Sequence, residues 1–405
     1  MSSVTAPAGP TVTPRQVRAA RTGVAVVFAL NGLAVASWFA RVPAVREGLD
    51  LTAGRLGLLL LAMSAGAILA MPTSGLVAQR LGTARTVVLA TLLVALGLAV
   101  AGVSAGTVGS LGGVAIGLFA LGYGSGTCDV AMNIEGAAVE RRLARTIMPR
   151  FHAAWSLGSV AGAGLGAGAA RLGVPVSVHL ALTAVVVLAG TVLGARAFLP
   201  AAETAPAADT TSPATRRRAL LAAWREPRTL LIGLFVLVMA FAEGSANDWV
   251  AVAFVDGYDL SEAAGAAVFG VFVVGMTLGR TLGTLALDRW GRVRVLTATI
   301  LLAVLGAGIA VLGGSGPVAV VGVALWGLGA SLGFPVGMSA AADEEDRAPA
   351  RVSVVAVIGY TAFLAGPPLL GLLGDRVGTL RALLVVPILL LPTLALVPVT
   401  RRPAD

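Results

Sequence analysis

Twelve apolar runs leave this chain few folds to choose from. They fall at roughly 22–40, 54–78, 86–104, 108–134, 149–170, 174–197, 229–251, 263–287, 295–313, 317–340, 351–373 and 380–398. A helix rises about 1.5 Å per residue, so each run reaches across the roughly 30 Å of hydrocarbon in a bilayer. Inside that layer every backbone N–H and C=O must be satisfied without water, which admits only helices and closed barrels. The runs are too long for barrel strands and lack their alternation. The expected fold is therefore an all-α membrane protein with twelve transmembrane helices. Composition agrees: the chain is 57% hydrophobic and only 12% charged, where soluble domains carry about a quarter charged residues. An ordinary soluble enzyme is excluded.

The runs are not independent. Asp259-Leu260-Ser261-Glu262 opens a helix, an apolar stretch follows to Leu287, and Asp288-Arg289-Trp290-Gly291-Arg292-Val293-Arg294 closes it before the next run. The same plan begins at Asp50. Without a gap, Asp50, Leu51, Gly66, Leu69, Leu76, Arg80, Gly82, Arg85 and Leu92 recur as Asp259, Leu260, Gly275, Leu278, Leu285, Arg289, Gly291, Arg294 and Leu301. A repeat of about half the chain implies two pseudo-symmetric six-helix bundles.

All 29 basic residues are arginines, and the net charge is +9. With the N-terminus placed inside, almost all of them fall in inside loops; only Arg41, Arg46, Arg55, Arg171, Arg376 and Arg381 lie outside. Such asymmetry is the positive-inside pattern of a plasma membrane protein and places both termini in the cytoplasm. It accounts for the basic charge without nucleic acid. The divisions expected are a disordered 1–14, a first bundle at 15–197, a linker at 198–228 and a second bundle at 229–405. Pro200 to Thr215 reads as an unstructured linker. Arg216 to Arg225 reads as a short basic helix on the inner leaflet or simply as a positive-inside loop. The single cysteine, Cys128, lies within a run and reads as a small packing residue.

The six-plus-six layout, with basic Gly-Arg loops after spans two and eight, resembles the major facilitator superfamily. That family's loop signature is Gly-x-x-x-Asp-Arg-x-Gly-Arg-Arg/Lys. The first copy here is Gly75, Gln79, Arg80, Gly82 and Arg85, with Gln79 in place of Asp and Thr83 in place of Arg. The second is Asp288, Arg289, Gly291, Arg292 and Arg294, with Thr284 in place of Gly. The resemblance implies that the loop locks the outward-facing state, its acid meeting a helix start in the other half. Gln79 carries no charge, which implies a weaker first lock. Cys128-Asp129-Val130-Ala131-Met132-Asn133 resembles span four of the fucose-permease-like branch, where an acid and an Asn four residues on line the sugar and proton site.

An ionisable group in a spanning helix is costly and is a functional candidate by default. Asp129 and Asn133 share one face of span four, continued by Ser125. Glu243 and Asn247 have the same spacing in span seven, where Gly244 and Ser245 weaken the helix and invite a local break. Asp129 and Glu243 are the proton-coupling candidates. Asn31 and Trp38 lie in span one, Trp38 as a sugar-stacking platform or an interfacial ring. Asn31 is either a cavity group or a helix–helix hydrogen bond. Arg280, in span eight, is expected to pair with an acid such as Asp129 and close the inner gate, or else to snorkel. Gly158, Gly162 and Gly166 form a small-residue face for close packing, and a candidate sliding surface between halves. Gly366-Pro367-Pro368 predicts a kink.

No Walker motif, paired metal ligands or nucleophilic triad appears, so no cofactor is expected and an ion gradient is the remaining energy source. The reading is a secondary transporter, with a small-molecule substrate and a proton as partners, acting as a monomer by alternating access. A sugar-like solute is one substrate class. Proton-driven efflux of a hydrophobic compound or metabolite is the alternative, and a non-transporting sensor a minor one.

Overall fold

A computed structural model describes residues 12–145, 147–200, 213–344 and 347–402. Every regular element among them is helical. The first half contains α1 (Pro14–Phe39), α2 (Val42–Gly48), α3 (Ala53–Leu81), α4 (Thr83–Val103), α5 (Leu111–Leu143), α6 (Met148–Arg171) and α7 (Val176–Ala195). Then come α8 (Pro213–Ala223), α9 (Pro227–Tyr258), α10 (Glu262–Leu312), α11 (Gly316–Ala330) and α12 (Gly333–Ala341). The last are α13 (Ala348–Val377), α14 (Thr379–Ala382) and α15 (Val385–Thr393), followed by a 3-10 turn to Thr400.

Among the described residues, ten stretches are long and apolar enough to cross a membrane. One of them, α10, crosses twice: its 51 residues break at Gly291, whose φ of 77° and ψ of 163° are not helical. The 24-residue α6 is the remaining crossing, too glycine-rich to qualify on hydropathy. Together these are the twelve crossings expected. Thr52, Ser110 and Ser261 each cap the first turn of the helix they precede, satisfying donors the helix leaves unpaired. The outer faces expose side chains such as Ile116, Leu182, Leu285 and Ile388, which suits a hydrocarbon solvent.

The ends of the divisions differ from expectation. The segment 1–14 falls outside the described residues up to Thr11, but Thr13 already forms a capping box with Gln16 and α1 starts at Pro14. The Pro200–Thr215 linker likewise lies mostly outside the described residues; from Pro213 the chain is α8. At both places where a break or a kink is expected the chain stays helical. α9 runs through Gly244 and Ser245, the Ser245 hydroxyl donating to the Phe241 carbonyl at 2.6 Å. α13 continues through Pro367 and Pro368, and Gly57 on α3 leaves room for the Pro367 carbonyl, 2.4 Å from where a Cβ would stand.

Helices pack mainly within their own half: α1 on α6 and α7, α3 and α4 on α5, α10 on α11, α9 on α13. Gly158 and Gly162 face the carbonyls of Ala29 and Leu33, and Gly166 faces Ala40. This small-residue face joins α6 to α1 in the same half, so it is not a sliding surface between halves.

Across the halves, α3 meets α13 and α6 meets α10. On the face away from the termini, ion pairs close the molecule. The Arg41 Nε, after α1, lies 2.8 Å from Glu262 at the start of α10, and its Nη2 donates to the Val174 carbonyl at 2.9 Å. Arg46 of α2 bonds Asp256 of α9. On the face that bears the termini, Arg292 bonds both Asp343 oxygens at 2.8 and 2.9 Å. Nearby, Arg351 joins Glu226 and Glu344. The bond from Arg351 holds the Glu344 carboxyl below its ordinary 4.5. Burial pushes Glu226 the other way, but Arg351 and Thr229 outweigh it and its value is also lowered. Depressed carboxylates contribute stability above their unfolded value, and that contribution is lost as pH falls through the folded one. The melting temperature in detergent is therefore expected to drop below about pH 4.5, and Arg351→Met to flatten that drop. An unchanged acid slope in the variant would remove the cluster from the account.

The loop motif has a further copy on the closed face. Gly371-x-x-x-Asp375-Arg376-Val377-Gly378-x-x-Arg381 repeats its spacing between α13 and α14. The backbone repeats too: Gly82 has φ 79° and ψ 159°, Gly378 φ 88° and ψ 148°, beside Gly291 above. A positive φ of this kind favours glycine. Asp375 reaches the other half. It accepts from the Thr52 hydroxyl at 3.3 Å, and its oxygen lies 2.4 Å from where a Cβ on Gly54 would stand. A carboxylate thus sits on the first turn of α3, where the helix dipole favours it by up to about 1 kcal/mol. Asp375→Asn is expected to shift the population away from this closed face by about fivefold. Spin-label distances across that face would measure it, and an unchanged distribution would show that the contact does not bias the conformation.

Candidate functional site

Closure on one face leaves an opening on the other. A cavity of about 1340 Å³ opens on the face bearing the termini. α6 supplies Arg150, His152 and Ser156; α10 supplies Arg280, Thr281 and Thr284; the loop at Gly291 supplies Asp288, Arg292 and Arg294. At its inner end, Arg280 also lines a small chamber of about 50 Å³, with Glu243 and Asn247 of α9, Trp155 and Ser159 of α6, and Phe39 at the end of α1. In this state the chamber has room for one or two waters.

The centre of the site is an ion pair. The Arg280 Nη2 donates to both oxygens of Glu243, at 2.9 and 3.1 Å. Both partners are half-buried, 29% and 15% exposed. Glu243 lies on α9 and Arg280 on α10, two adjacent helices of the second half. An unpaired charge here would be costly, and the pair makes both tolerable. Tyr360 on α13 is within electrostatic reach of both Glu243 and Asp129, the latter on α5 in the other half. The ring of Tyr360 packs beside Phe334 and Phe363, each 6.0 Å away.

The sequence candidates divide accordingly. Glu243 and Asn247 line the chamber together, as their spacing requires. The partner of Arg280 is Glu243, not Asp129. Asp129 is exposed and accepts from the Asn133 amide at 3.2 Å; that amide also donates to the Asp129 carbonyl at 2.8 Å. Asn31 is buried, its side-chain oxygen accepting from the Ser125 hydroxyl at 3.1 Å. Those two therefore tie α1 to α5. Trp38 is fully buried in the core and lines neither cavity nor chamber. Its neighbour Phe39 takes the wall position instead, edge-on to Phe269 at 6.0 Å. Gln79, Arg80 and Arg85 are exposed, and so are Arg289 and Arg294, while Gly75 has open space around it. The Arg289 guanidinium lies over the Trp290 ring.

Three groups were not singled out in the sequence. Trp155, Ser156 and Ser159 face the chamber from a helix that is otherwise mainly Gly and Ala, a contrast readable in the string. Tyr360 lies within electrostatic reach of both acids. Glu135 is a fully buried acid, but both its oxygens are taken, by the Thr83 hydroxyl and the Leu199 N–H at 2.6 Å each. It joins the ends of three helices and is remote from the chamber.

The sequence profile described as Major Facilitator Superfamily matches residues 24–344 and 249–404. An uncharacterised transporter of Sinorhizobium fredii is 32% identical over 87% of this chain and 90% of its own length. An uncharacterised transporter of Yersinia pestis, of the type named for that superfamily, is 32% identical over 86% and 88%. Among solved structures, a mutant of the nucleoside transporter NupG superposes with a TM-score of 0.77 at 12% identity, covering 94% of this chain and 99% of NupG. The fucose:proton symporter FucP of E. coli gives 0.64 at 16%, covering 95% and 98%. These last two likenesses concern the fold.

Proposed function

From a chain that belongs to the major facilitator superfamily, and so is a membrane transporter and not an enzyme, we propose a proton-coupled secondary carrier. It moves a small solute across the bacterial inner membrane by alternating access. The termini lie in the cytoplasm, as the arginine distribution indicates, so the cavity of this state opens inward. One observation carries the coupling: an acid inside the membrane, Glu243, shares the end of the solute cavity with its own counter-ion, Arg280. A proton on Glu243 frees the guanidinium, so proton and solute occupancy act on the same pair. Such coupling is reciprocal by necessity. Asp129 is the second proton candidate, exposed on the opposite half.

The test is the purified chain in liposomes under an imposed pH gradient, with labelled sugars, nucleosides and carboxylates offered in turn. Accumulation that collapses on adding a protonophore is the expected result. Accumulation indifferent to the gradient, or driven only by sodium, would overturn proton coupling. The efflux alternative is favoured by no particular group: the cavity wall is basic and polar at its mouth.

A further inference from the structure

The geometry points to a carboxylate-binding subsite at Arg280, where a small organic anion with an apolar body replaces Glu243 on the guanidinium. The inference rests on the transport reading and names its substrate class. The seat is already built for a carboxylate. One nitrogen of Arg280 holds both oxygens of Glu243, and the planar guanidinium fork suits carboxylates better than any other common group. Exchange of one carboxylate for another conserves charge: protonated Glu243 with a solute anion leaves the membrane interior as neutral as the resting pair. A neutral sugar gives no such balance, because it would leave either an unpaired guanidinium or an undisturbed ion pair.

The surroundings agree with an anion. The path to Arg280 passes Arg150, Arg294, Arg401 and Arg402, with Asp288 on its wall and Arg292 already paired with Asp343. A cleft lined by one sign of charge raises the local concentration of the opposite sign. Loop arginines follow from membrane orientation alone, but Arg280 lies within a span, at the cavity's end. Next to it, Phe39, Trp155, Phe269, Phe272 and Met276 give the small chamber an apolar wall; widened from its present volume of about 50 Å³, that chamber would take an aliphatic or aromatic body better than a second charge. The groups facing Glu243 are Arg280 from α10 and Tyr360 from α13. Asp129 on α5 is also within electrostatic reach of Tyr360, and His152 on α6 is within electrostatic reach of Arg280.

The experiment is equilibrium binding to the detergent-purified full chain at pH 6 and pH 8. The probes are labelled acetate, lactate, benzoate and phenylacetate, their neutral amides, and a set of sugars. Arg280→Gln alone would strand Glu243 and risk misfolding, so the control is the charge-neutral pair Glu243→Gln with Arg280→Gln. At least one acid should bind about tenfold more tightly at pH 6 than at pH 8. Glu243→Gln should bind it equally at both, and the double variant should lose about 100-fold. Binding of amides as strong as acids, affinity surviving in the double variant, or no binding by any acid would each overturn the subsite. A sugar that binds in a proton- and Glu243-dependent way would overturn the subsite yet leave proton coupling standing. Acid binding with no dependence on pH or on Glu243 would do the reverse.

Discussion

Glu243→Gln is expected to abolish accumulation driven by a pH gradient while leaving exchange of solute across the membrane intact. One pH unit equals about 1.4 kcal/mol, or a tenfold ratio, for one proton per solute. The variant should fall from that ratio to unity. Glutamine keeps the length and one acceptor of Glu243, so it still accepts a bond from Arg280, but it cannot take or give up a proton. Solute can then enter and leave with the guanidinium permanently available, and the cycle runs without a thermodynamic link to protons. The companion variant is Asp129→Asn. Its side chain hydrogen-bonds Asn133 on its own helix, and its loss should slow transport without uncoupling it. If Asp129→Asn uncouples and Glu243→Gln does not, the proton site belongs to the first half. If both retain full accumulation, neither acid is the link.

Gly158→Leu is expected to prevent folding. A Cβ at Gly158 would stand 1.8 Å from the Ala29 carbonyl oxygen, and the carbonyl carbon is at 2.6 Å. The contact is with backbone, so no rotamer change relieves it. The reverse contact is nearly as close: a Cβ at Gly32 would lie 2.2 Å from the Trp155 carbonyl. α1 and α6 thus touch main chain to main chain, and an added side chain must part them. Overpacking costs about 1–3 kcal/mol where neighbours can yield; here they cannot, and a loss above about 3 kcal/mol is expected. Parting α6 from α1 would also displace Trp155 and Ser159 from the chamber. Gly168→Ala is the control, since a Cβ there meets nothing within 4 Å. Size-exclusion profiles and melting in detergent read both. A monodisperse Gly158→Leu melting within a few degrees of the wild type would contradict the packing argument.

Much of this architecture is legible in the string because lipid imposes so strict a rule. Run length gives the crossings, arginine placement gives a predicted orientation, and the Asp50/Asp259 repeat gives the two halves. The same rule makes Glu243 conspicuous, and a spacing of four places Asn247 beside it. What periodicity cannot supply is the partner across a helix interface. Arg280 and Glu243 belong to different spans, and nothing in either span's pattern prefers Glu243 to Asp129. Trp38 shows the converse limit: span one is apolar on all sides, so its pattern does not say which ring faces the cavity, and Phe39 takes that place. Asn31 and Ser125 bond each other because a buried amide takes the nearest hydroxyl, a choice fixed by helix rotation. The motif copy at Gly371 to Arg381 needed no structure to be found. It lies in a loop with only two arginines, where a search guided by positive charge has no reason to stop.

That copy has a consequence for how the carrier idles. α3 ends in one version of the motif and receives Asp375 of the other at its start; α13 ends in the version that holds Asp375. The molecule is latched like a double door: the catch now fastened holds Asp375, while on the unfastened side the two copies carry Gln79 and Asp288 at the equivalent place. An empty carrier of this kind waits with its solute chamber facing the compartment that holds its ends. Resting posture cannot set the direction of net flow, which the gradients decide. It sets which half of the circuit is slow: the empty return, which must first release the Asp375 contact, so that solute-for-solute exchange should outpace one-way entry.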